Sequence, residues 1–464
     1  MPAQPFSHLT AIERAAAVVD AGTLTLLPGS DAGRTSLITA RGRIDGRDTL
    51  LVLTDGHQRG GTIGMAEARQ FGHALGAAER RRSRVVVCWD TGGVRVQEGP
   101  AALAATSAVG VALAQLAMRR VPVVHVISGP RGCFGAPAVI AAAGHATLMT
   151  SDALWGLTGP QLLEPADGPA DAARSVTSAA ARRRSGDIAA VVADSAAAIR
   201  RAIVQRFTRP PTRTAARRVL EASLHSTAEL AARLPVPSTA VVERPRRRDF
   251  FAYSFRGQWR HGGWSMRTRH VHAAWGQLSG SDAMAIIVGP ERSPEGIGVA
   301  AAHAVVQTVR TAVSVSRGTP APIITFLFCR GHASTVDDER AGLPRALAAC
   351  LRSLVAARLL GHPLLCVLGG GAYGATYLTL AAPSDRILAL RGTAIAPMAP
   401  RVLAAFQRLR GIRAASDTPP DLARMFPDIR IVESVVRLPR ALADELAIAR
   451  RITQLRRPSR PRAC

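Results

Sequence analysis

The chain has 464 residues, of which 47% are hydrophobic and 20% charged, an ordinary globular balance with room for two or three domains. Its 59 basic residues are all arginine, and the formal net charge is +26. A charge of this size attracts polyanions, but aromatic residues, which would stack on bases, make up only 4%. Nucleic acid is therefore not expected as a partner. The arginine runs are interpreted as solvated arms; they are Arg182–Arg184, Arg246–Arg248 and Arg456–Arg462.

Three further properties exclude other classes of protein. The six cysteines are scattered, with no C-x-x-C pair and no histidine cluster at metal spacing, so no metal site is predicted. The N-terminus lacks a positive region followed by an apolar stretch, so no signal peptide is expected. The longest apolar segment, Ala101–Met118, contains Thr106 and Gln115 and predicts a core helix rather than a membrane span. The sequence thus predicts a cytoplasmic protein with no membrane association.

The first half alternates between strand-like and helix-like segments. Its predicted elements are, in chain order, a helix at Ser7–Asp20, a hairpin at Leu37–Leu53, a helix at Met65–Arg81, a strand at Ser83–Trp89, a helix at Pro100–Met118, short strands at Ala146–Met149 and Ala153–Leu157, and a helix at Ile188–Phe207. The pair Asp45-Gly46 favours a tight turn inside the hairpin. Alternation of strands and helices implies βαβ crossovers and a largely parallel sheet.

A second α/β unit follows a segment rich in proline and arginine. We predict a first domain at 1–207, a linker at 208–249 with a short helix within Ala215–Leu234, a second domain at 250–455 and a basic tail at 456–464. The second domain's predicted elements are strands at Ala283–Val288, Ala321–Leu327, Pro363–Leu368 and Arg386–Leu390, and helices at Pro294–Ala312, Leu343–Leu360 and Leu442–Arg451. Their order matches that of the first domain, which indicates a duplicated architecture.

Each half contains one prominent glycine turn. Val121–Ala141 and His362–Leu378 both run from an apolar strand through glycines into an alanine-containing helix. A turn of this kind leaves several N–H groups without intrahelical partners, and such groups favour negative charge. The glycines are Gly129, Gly132 and Gly135 in the first turn and Gly369, Gly370, Gly371 and Gly374 in the second. Two such turns about half a chain apart indicate a function more strongly than one would.

Four motifs of the first half resemble the β subunit of biotin-independent malonate decarboxylase, a member of the carboxyltransferase superfamily. They are GGTIG at Gly60–Gly64, TGGVRVQE at Thr91–Glu98, GCFG at Gly132–Gly135 and LTGPQLLE at Leu157–Glu164. Residues 250–450 resemble the γ subunit more loosely, around Arg358–Pro363 and Ala372–Ala375. The resemblance implies a β–γ fusion with an α/β fold of two tandem crotonase-like carboxyltransferase domains built from ββα units.

The family's reaction implies what the glycine turns would do. A malonyl group carried as a thioester on an acyl carrier protein loses CO₂, and charge collects on the thioester oxygen of the resulting enolate. Two converging N–H groups would hold that oxygen, each contributing roughly 3–4 kcal/mol. By position in the motifs, the first oxyanion pair, for the thioester, would be Gly135 and Ala136, and the second, for the departing carboxylate or CO₂, would be Gly374 and Ala375. The implied substrate contacts are Gly60, Gly61, Gly92, Gly93, Gln97 and Tyr373.

The resemblance also implies partners and one alternative function. The partners would be an acyl carrier protein subunit, whose phosphopantetheine-type arm is the only cofactor expected, and a carrier transferase of the same complex; a homo-oligomer is left open. In the second half, Tyr373 stands where the γ subunit usually has serine, and Ala372–Ala375 looks more like propionyl-CoA carboxyltransferases. The alternative is therefore a biotin-dependent acyl-CoA carboxyltransferase, whose second turn would hold biotin.

Five side chains near the motifs admit a functional and a structural interpretation. Glu98 either orients substrate or complements a helix dipole, and Arg95 either binds a carboxylate or phosphate or forms an ordinary ion pair. Cys133 is either a reactive thiol or a small packing residue, and the sequence favours packing. Tyr373 either donates a proton to the enolate carbon or packs in the core. His332 either acts as an acid–base group or takes no part in the reaction.

Overall fold

In the computed structural model, the described residues are 4–31, 33–119, 121–160, 162–163, 171–208, 216–233, 259–278, 280–289, 296–316, 319–329, 331–410 and 429–456. Their strands are β1 (Thr25–Leu26), β2 (Leu37–Ile44), β3 (Arg47–Thr54), β4 (Arg84–Trp89), β5 (Val123–Ile127), β6 (Cys133–Phe134), β7 (Ala146–Thr150), β8 (Trp155–Gly156), β9 (Ala190–Val192), β10 (Trp259–Arg267), β11 (Val271–Leu278), β12 (Ser281–Val288), β13 (Ile323–Leu327), β14 (Leu364–Leu368), β15 (Ala372–Tyr373), β16 (Arg386–Leu390), β17 (Ile395–Ala396) and β18 (Ile429–Val432).

Their α-helices are α1 (Ala11–Val18), α2 (Met65–Arg81), α3 (Gly99–Met118), α4 (Ala136–Ala142), α5 (Asp171–Thr177), α6 (Ala179–Arg184), α7 (Ala196–Phe207), α8 (Ala216–Ala231), α9 (Val299–Val315), α10 (Val336–Ala341), α11 (Leu343–Leu359), α12 (Pro400–Arg410) and α13 (Leu438–Arg456). A π-helical turn spans Tyr377–Ala381. Short 3₁₀ turns include Arg59–Gly61 and Val96–Glu98.

Each half of the chain forms a seven-stranded sheet with the same arrangement. The strand order is β1-β2-β3-β4-β5-β7-β9 in the first sheet and β10-β11-β12-β13-β14-β16-β18 in the second. In both sheets the first three strands pair antiparallel and the others join in parallel. Two small parallel pairs, β6-β8 and β15-β17, stand apart from these sheets. The predicted α/β class and duplicated architecture are therefore confirmed.

The hairpin of the first sheet forms around the predicted turn. β2 and β3 pair along their whole length. Asp45 and Gly46, which connect them, have φ of 55° and 70°. Both angles lie in the left-handed region that a two-residue hairpin loop needs, and aspartate and glycine tolerate it better than other residues. The turn chemistry therefore fixes the register of the two strands.

One apolar core is shared by both halves. The inner face of the first sheet, with α3 and α4, packs against α11 and the Tyr377–Ala381 turn of the second half in one continuous cluster. Separate cores under α1 and α7, and under α13, cover the outer faces of the two sheets. The segment Val96–Met118 is long and apolar enough to cross a membrane by composition alone, yet most of it is buried in the shared core. It is the core helix that the sequence predicted.

The structure corrects two element predictions. Ile188–Phe207 is not one helix, because β9 pairs in parallel with β7 before α7 begins behind the N-cap residue Ser195. An alanine-rich run suits both a short strand and a helix start, so the pattern could not separate them. The strands β10 and β11 were missed, although they form the first hairpin of the second sheet.

Part of the predicted linker is helical. The short helix expected within Ala215–Leu234 is present as α8, which packs against α9 and α11 of the second half. Most other residues of the predicted linker, and the basic tail from residue 457 onward, lie outside the described residues. The domain boundaries stay a prediction.

Candidate active site

The first glycine turn leads from β5 through β6 into α4. Gly135 has φ 69° and ψ −142°, a combination open essentially only to glycine. Its N–H donates to the carbonyl oxygen of Leu157 at 3.1 Å, which extends the pairing of β6 with β8. This corrects one part of the predicted oxyanion pair. The single N–H of Gly135 is committed to Leu157, so Gly135 shapes the turn rather than supplying a donor.

Ala136, the first residue of α4, keeps an N–H of the kind that the prediction requires. Within the described part of the chain, this N–H has no hydrogen-bond acceptor, as is usual for the first N–H groups of a helix. A Cβ built on the neighbouring Gly135 would meet no described atom within 4 Å, so the space beside the turn is open. The first turn therefore offers one uncommitted donor next to free space.

Two other glycine loops of the first half lie beside this turn. Gly92 donates its N–H to the carbonyl oxygen of Gly60 at 3.0 Å. A Cβ on Gly93 would stand 3.1 Å from the carbonyl oxygen of Phe134, which directly precedes the turn glycine. The site residues that the structure brings together in this way are Gly60, Gly61, Gly92, Gly93, Gly135 and Ala136. Three separate motifs therefore meet at one place in the fold, and their role in substrate binding stays a prediction.

The buried residue Asp90 contacts these loops from the protein interior. Its carboxylate is fully buried, accepts the N–H of Arg131 at 2.9 Å and pairs with Arg14 at 3.2 Å. Burial raises the pKa of Asp90, and the nearby Arg14 opposes that shift. Gly61, with φ 65°, approaches the Asp90 carbonyl so closely that any Cβ there would collide with it. Asp90 therefore holds the loops together from inside the protein.

Arg95 is engaged on all sides within the first half. It binds Glu67 at 2.8 Å and Glu98 at 2.6 Å, and it donates to Ser36 and to the carbonyl of Thr62. Burial alone would raise the pKa of Glu67. The hydrogen bonds and charge of Arg95, with other hydrogen bonds, outweigh burial, so the pKa lies below its usual value. The structure supports the ion-pair interpretation of Arg95.

The structure also supports the structural interpretations of Glu98 and Cys133. Oε2 of Glu98 accepts the N–H of Met65 at 2.7 Å, so its charge complements the N-terminus of α2. Cys133 is fully buried, and burial raises the pKa of its thiol well above the usual value. Gln97 is exposed in the Val96–Glu98 turn, and none of the hydrogen bonds of the described residues links it to the glycine loops. Gln97 as a substrate contact stays a prediction.

The second glycine turn is built like the first. Gly374 has φ 49°, and its N–H donates to the carbonyl oxygen of Ala396 at 3.0 Å. This again corrects the predicted pair, because the N–H of Gly374 is committed to the small sheet β15-β17. The N–H of Ala375 has no acceptor among the described residues. Each half therefore presents one uncommitted amide at the residue after the turn glycine.

The second turn is more crowded than the first. A Cβ on Gly374 would stand 2.8 Å from the carbonyl oxygen of Pro397, whereas the same construction at Gly135 meets open space. The ring of Tyr373 lies against Gly371, where no Cβ would fit, and Tyr373 is 8% exposed. This placement agrees with core packing, and the role of Tyr373 as a substrate contact or proton donor stays a prediction.

The second half of the chain reaches the first turn. Glu339, in α10, is fully buried, and its Oε1 accepts the N–H groups of Leu157 at 2.6 Å and Thr158 at 3.1 Å. Its Oε2 pairs with Arg182 at 2.6 Å. The hydroxyl of Thr158 lies 3.3 Å from Nε2 of His332, and burial lowers the pKa of that histidine to about 4. The LTGPQLLE motif drew attention to Leu157, but no local pattern marked Glu339. The interpretation of the run Arg182–Arg184 as a solvated arm is wrong for Arg182, which is buried and paired with Glu339.

Two protein families match this chain, each over a different part of it. The carboxyl transferase domain family matches residues 9–248, which is more than half of the chain, so the chain belongs to the carboxyl transferase family. The malonate decarboxylase gamma subunit family matches residues 293–453. The two matches follow each other in the order of a fused β and γ chain, and the predicted β–γ fusion is confirmed.

Two of the curated relatives differ in how much of the chain they match. Over 192 residues, the chain is 29% identical to malonyl-S-ACP:biotin-protein carboxyltransferase MADC of Malonomonas rubra, a match of 34% of this chain and 59% of the relative. The chain thus spans less than two thirds of that protein. It is 26% identical over 451 residues to the probable biotin-dependent acyl-coenzyme A carboxylase beta3 subunit of Mycobacterium tuberculosis, covering 90% of this chain and 86% of the relative.

Solved structures of related proteins were also compared. The Pseudomonas malonate decarboxylase MdcD-MdcE hetero-dimer is 30% identical, with 48% of this chain and 97% of that chain covered and a TM-score of 0.41. Transcarboxylase 12S is 18% identical, with 99% of this chain and 92% of that chain covered and a TM-score of 0.38. Both TM-scores are low, so the family assignment rests on the sequence.

Proposed function

We propose that this chain decarboxylates a malonyl thioester carried on an acyl carrier protein, giving the acetyl thioester and CO₂, as the decarboxylase component of a malonate decarboxylase complex. The observation that carries the proposal is the uncommitted N–H of Ala136 beside open space, within a motif set of this family. The match of residues 293–453 to a malonate decarboxylase gamma subunit supports the same reaction.

The chemistry needs stabilisation of one developing charge. The bond between the carboxylate carbon and C2 of the malonyl group breaks, and its electron pair forms the enolate, with the charge on the thioester oxygen. A proton then joins C2 and completes the acetyl group. An N–H directed at that oxygen strengthens its hydrogen bond as the charge develops, which lowers the barrier. In this proposal, Ala136 supplies that donor.

The two turns take different parts of the substrate. The open first turn holds the thioester oxygen, since a Cβ on Gly135 would meet no described atom within 4 Å. The amide of Ala375 in the second turn is assigned to the departing carboxylate or CO₂, which is small enough for a turn crowded by the Pro397 carbonyl. The proposed reaction uses no cofactor bound to this chain. The phosphopantetheine-type arm comes with the carrier protein, and a carrier transferase of the same complex loads it.

A biotin-dependent acyl-CoA carboxyltransferase is the second candidate. It is favoured by the 26% identity to the M. tuberculosis acyl-coenzyme A carboxylase subunit, which extends over 90% of this chain. The name of MADC contains both a malonyl-S-ACP donor and a biotin protein, so that relative is consistent with either candidate. In the second candidate the amide of Ala375 would hold the biotin carbonyl oxygen instead of the departing carboxylate.

One assay separates the two candidates. The purified chain is incubated with malonyl thioester on an acyl carrier protein, without biotin, and CO₂ and acetyl thioester are followed. Stoichiometric release of both is expected. In a parallel arm, free biotin and malonyl-CoA are supplied, and carboxybiotin is measured. Carboxybiotin formation, with no CO₂ release in the biotin-free arm, would replace the decarboxylase by the carboxyltransferase.

A further inference from the structure

We propose that Glu339, from the second half, is a positioning residue for the oxyanion turn of the first half. The inference rests on the function proposed above, because it takes the N–H of Ala136 as the donor to substrate. Glu339 does not touch that site itself. It acts through the segment Leu157–Thr158, which is hydrogen-bonded to Glu339 on one side and to the turn on the other.

Leu157 links the two sides directly. Its N–H donates to Oε1 of Glu339 at 2.6 Å, while its carbonyl oxygen accepts the N–H of Gly135 at 3.1 Å. Ala136 follows Gly135 in the chain. Two hydrogen bonds, both made by Leu157, therefore connect the carboxylate to the turn. A shift of Leu157 would move Gly135, and with it the N–H of the next residue, Ala136. Displacements of about 1 Å in such a donor cost up to roughly 100-fold in rate.

The carboxylate is itself fixed in place. Arg182 donates from Nη2 to Oε2 of Glu339 at 2.6 Å and from Nη1 to the Glu339 carbonyl at 2.7 Å. The same guanidinium donates from Nε to the carbonyl of Trp155, in β8, at 3.0 Å. Arg182 and Glu339 are both essentially inaccessible to solvent. A buried charge pair with these extra hydrogen bonds has one low-energy arrangement, because breaking it leaves an uncompensated charge.

Among the described residues, the position of the first half that corresponds to Glu339 carries no carboxylate. In both halves a carboxylate caps the helix that follows the third strand of the sheet, which is α2 after β3 and α9 after β12. The N–H of Met65 donates to Glu98 at 2.7 Å, and the N–H of Val299 donates to Asp338 at 2.7 Å. Glu339 is the residue after Asp338, whereas the residue after Glu98 is Gly99. At the position that matches Glu339, the first half therefore has a glycine instead of a carboxylate.

The test uses the full chain with Glu339→Ala and, as matched control, Asp187→Asn. Asp187 pairs with the same buried Arg182, at 3.2 Å, but among the described residues it makes no hydrogen bond to Leu157 or Thr158. Glu339→Ala should lower kcat by about 10- to 100-fold with little change in KM, because the donor is misdirected while the substrate still binds. Asp187→Asn should keep kcat within about twofold of wild type, since the acceptor for Leu157 is unchanged.

Hydrogen exchange gives a readout that does not depend on activity. In Glu339→Ala, the backbone amides of the peptide 133–142 should exchange faster than in wild type, and in Asp187→Asn they should not. Glu339→Gln, which keeps an oxygen acceptor for the two N–H groups, should restore most of the protection and of kcat. A folded Glu339→Ala chain with wild-type exchange in that peptide would overturn the inference, as would a Gln variant as impaired as the Ala variant.

Failure of Glu339→Ala to fold and absence of wild-type activity have separate consequences. If Glu339→Ala does not fold, the double variant Arg182→Met/Glu339→Met removes the acceptor and replaces the buried pair by apolar side chains, a change that proteins often tolerate. The same faster exchange is then expected, and its absence counts against the inference. If wild type releases no CO₂ in any arm, the proposed function fails by itself, while the exchange result still decides whether Glu339 positions the turn.

Discussion

The N–H of Gly135 donates to the carbonyl oxygen of Leu157 at 3.1 Å, and this bond decides which amide of the first turn is left for a substrate. Gly135 cannot be replaced by proline to test the site, because its φ of 69° is far from the angle that a proline ring allows. The amide of Ala136, one residue later, is therefore the one to remove.

Ala136→Pro should abolish most of the activity without unfolding the protein. Proline suits the first residue of a helix, so α4 is expected to form, but the oxyanion loses its donor. We expect kcat for CO₂ release to fall by about 100- to 1,000-fold, the usual cost of one such donor. Far-UV circular dichroism checks the fold. Ala136→Gly, which keeps the N–H, is the control, and an equally large loss in that variant would show that the amide is not responsible.

Two glycines with open surroundings should respond to alanine with opposite signs. A Cβ at Gly135 or at Gly72, in α2, would meet no described atom within 4 Å. Gly135→Ala should nevertheless lower the free energy of unfolding by about 1–3 kcal/mol, because its backbone conformation is strained for any other residue. Gly72→Ala should raise it by about 0.5–1 kcal/mol, since glycine is a poor helix residue. Urea unfolding measures both, and a stabilised Gly135→Ala variant would contradict this account.

Acid should destabilise the protein through buried histidines. Burial lowers the pKa of His125 to about 3 and that of His145 to about 4, from a usual value of 6.5. Below about pH 6.5 the unfolded chain binds protons that the folded chain does not, so stability falls with pH until the folded pKa values are reached. The free energy of unfolding should drop by up to about 1.4 kcal/mol per pH unit for each histidine.

The control for this prediction is His125→Asn. Nδ1 of His125 accepts the N–H of the Trp89 indole at 3.0 Å, and an asparagine oxygen can take over that role. The variant lacks one titrating group, so its free energy of unfolding should depend less steeply on pH between about pH 6 and 4. An unchanged slope would mean that another group governs the acid response.

Binding of the carrier protein should depend on salt. A chain with a net charge of +26 attracts an acidic carrier over a Debye length of about 8–10 Å at ordinary salt. KM for the carrier-bound thioester should rise steeply with salt, while kcat changes little. Truncation of the tail Arg456–Cys464 should leave the effect in place. A salt-independent KM, or equal activity on free malonyl-CoA, would favour the carboxyltransferase.

Much of the fold could be read from local patterns. The Asp45-Gly46 turn, helix α2 and both glycine turns are specified by residues next to each other in the chain, so their chemistry is visible in the sequence. β10 and β11 were missed because Gly262, Gly263 and Gly276 interrupt their apolar alternation. Their strand character comes from pairing, of β10 with β11 and of β11 with β12, and a local window does not show these partners.

The candidate site was predictable only in part, for the same reason. Motifs indicated which glycines converge, but the fate of an N–H depends on partners far away in the chain. The N–H of Gly135 is bound by Leu157, which follows β8, and the N–H of Leu157 is bound by Glu339, a residue 182 positions further on. No spacing rule could have assigned these bonds. They became visible only when the strands and the two halves were placed against each other.

The shared apolar core has a consequence for how such a protein is made. Two separate chains would each expose the inner sheet face until they met, and their association would weaken on dilution. Joined in one chain, the halves meet at an effective concentration set by their connection, so the core closes regardless of how much protein is present. The fusion also fixes the halves at equal numbers, and neither can accumulate without its counterpart.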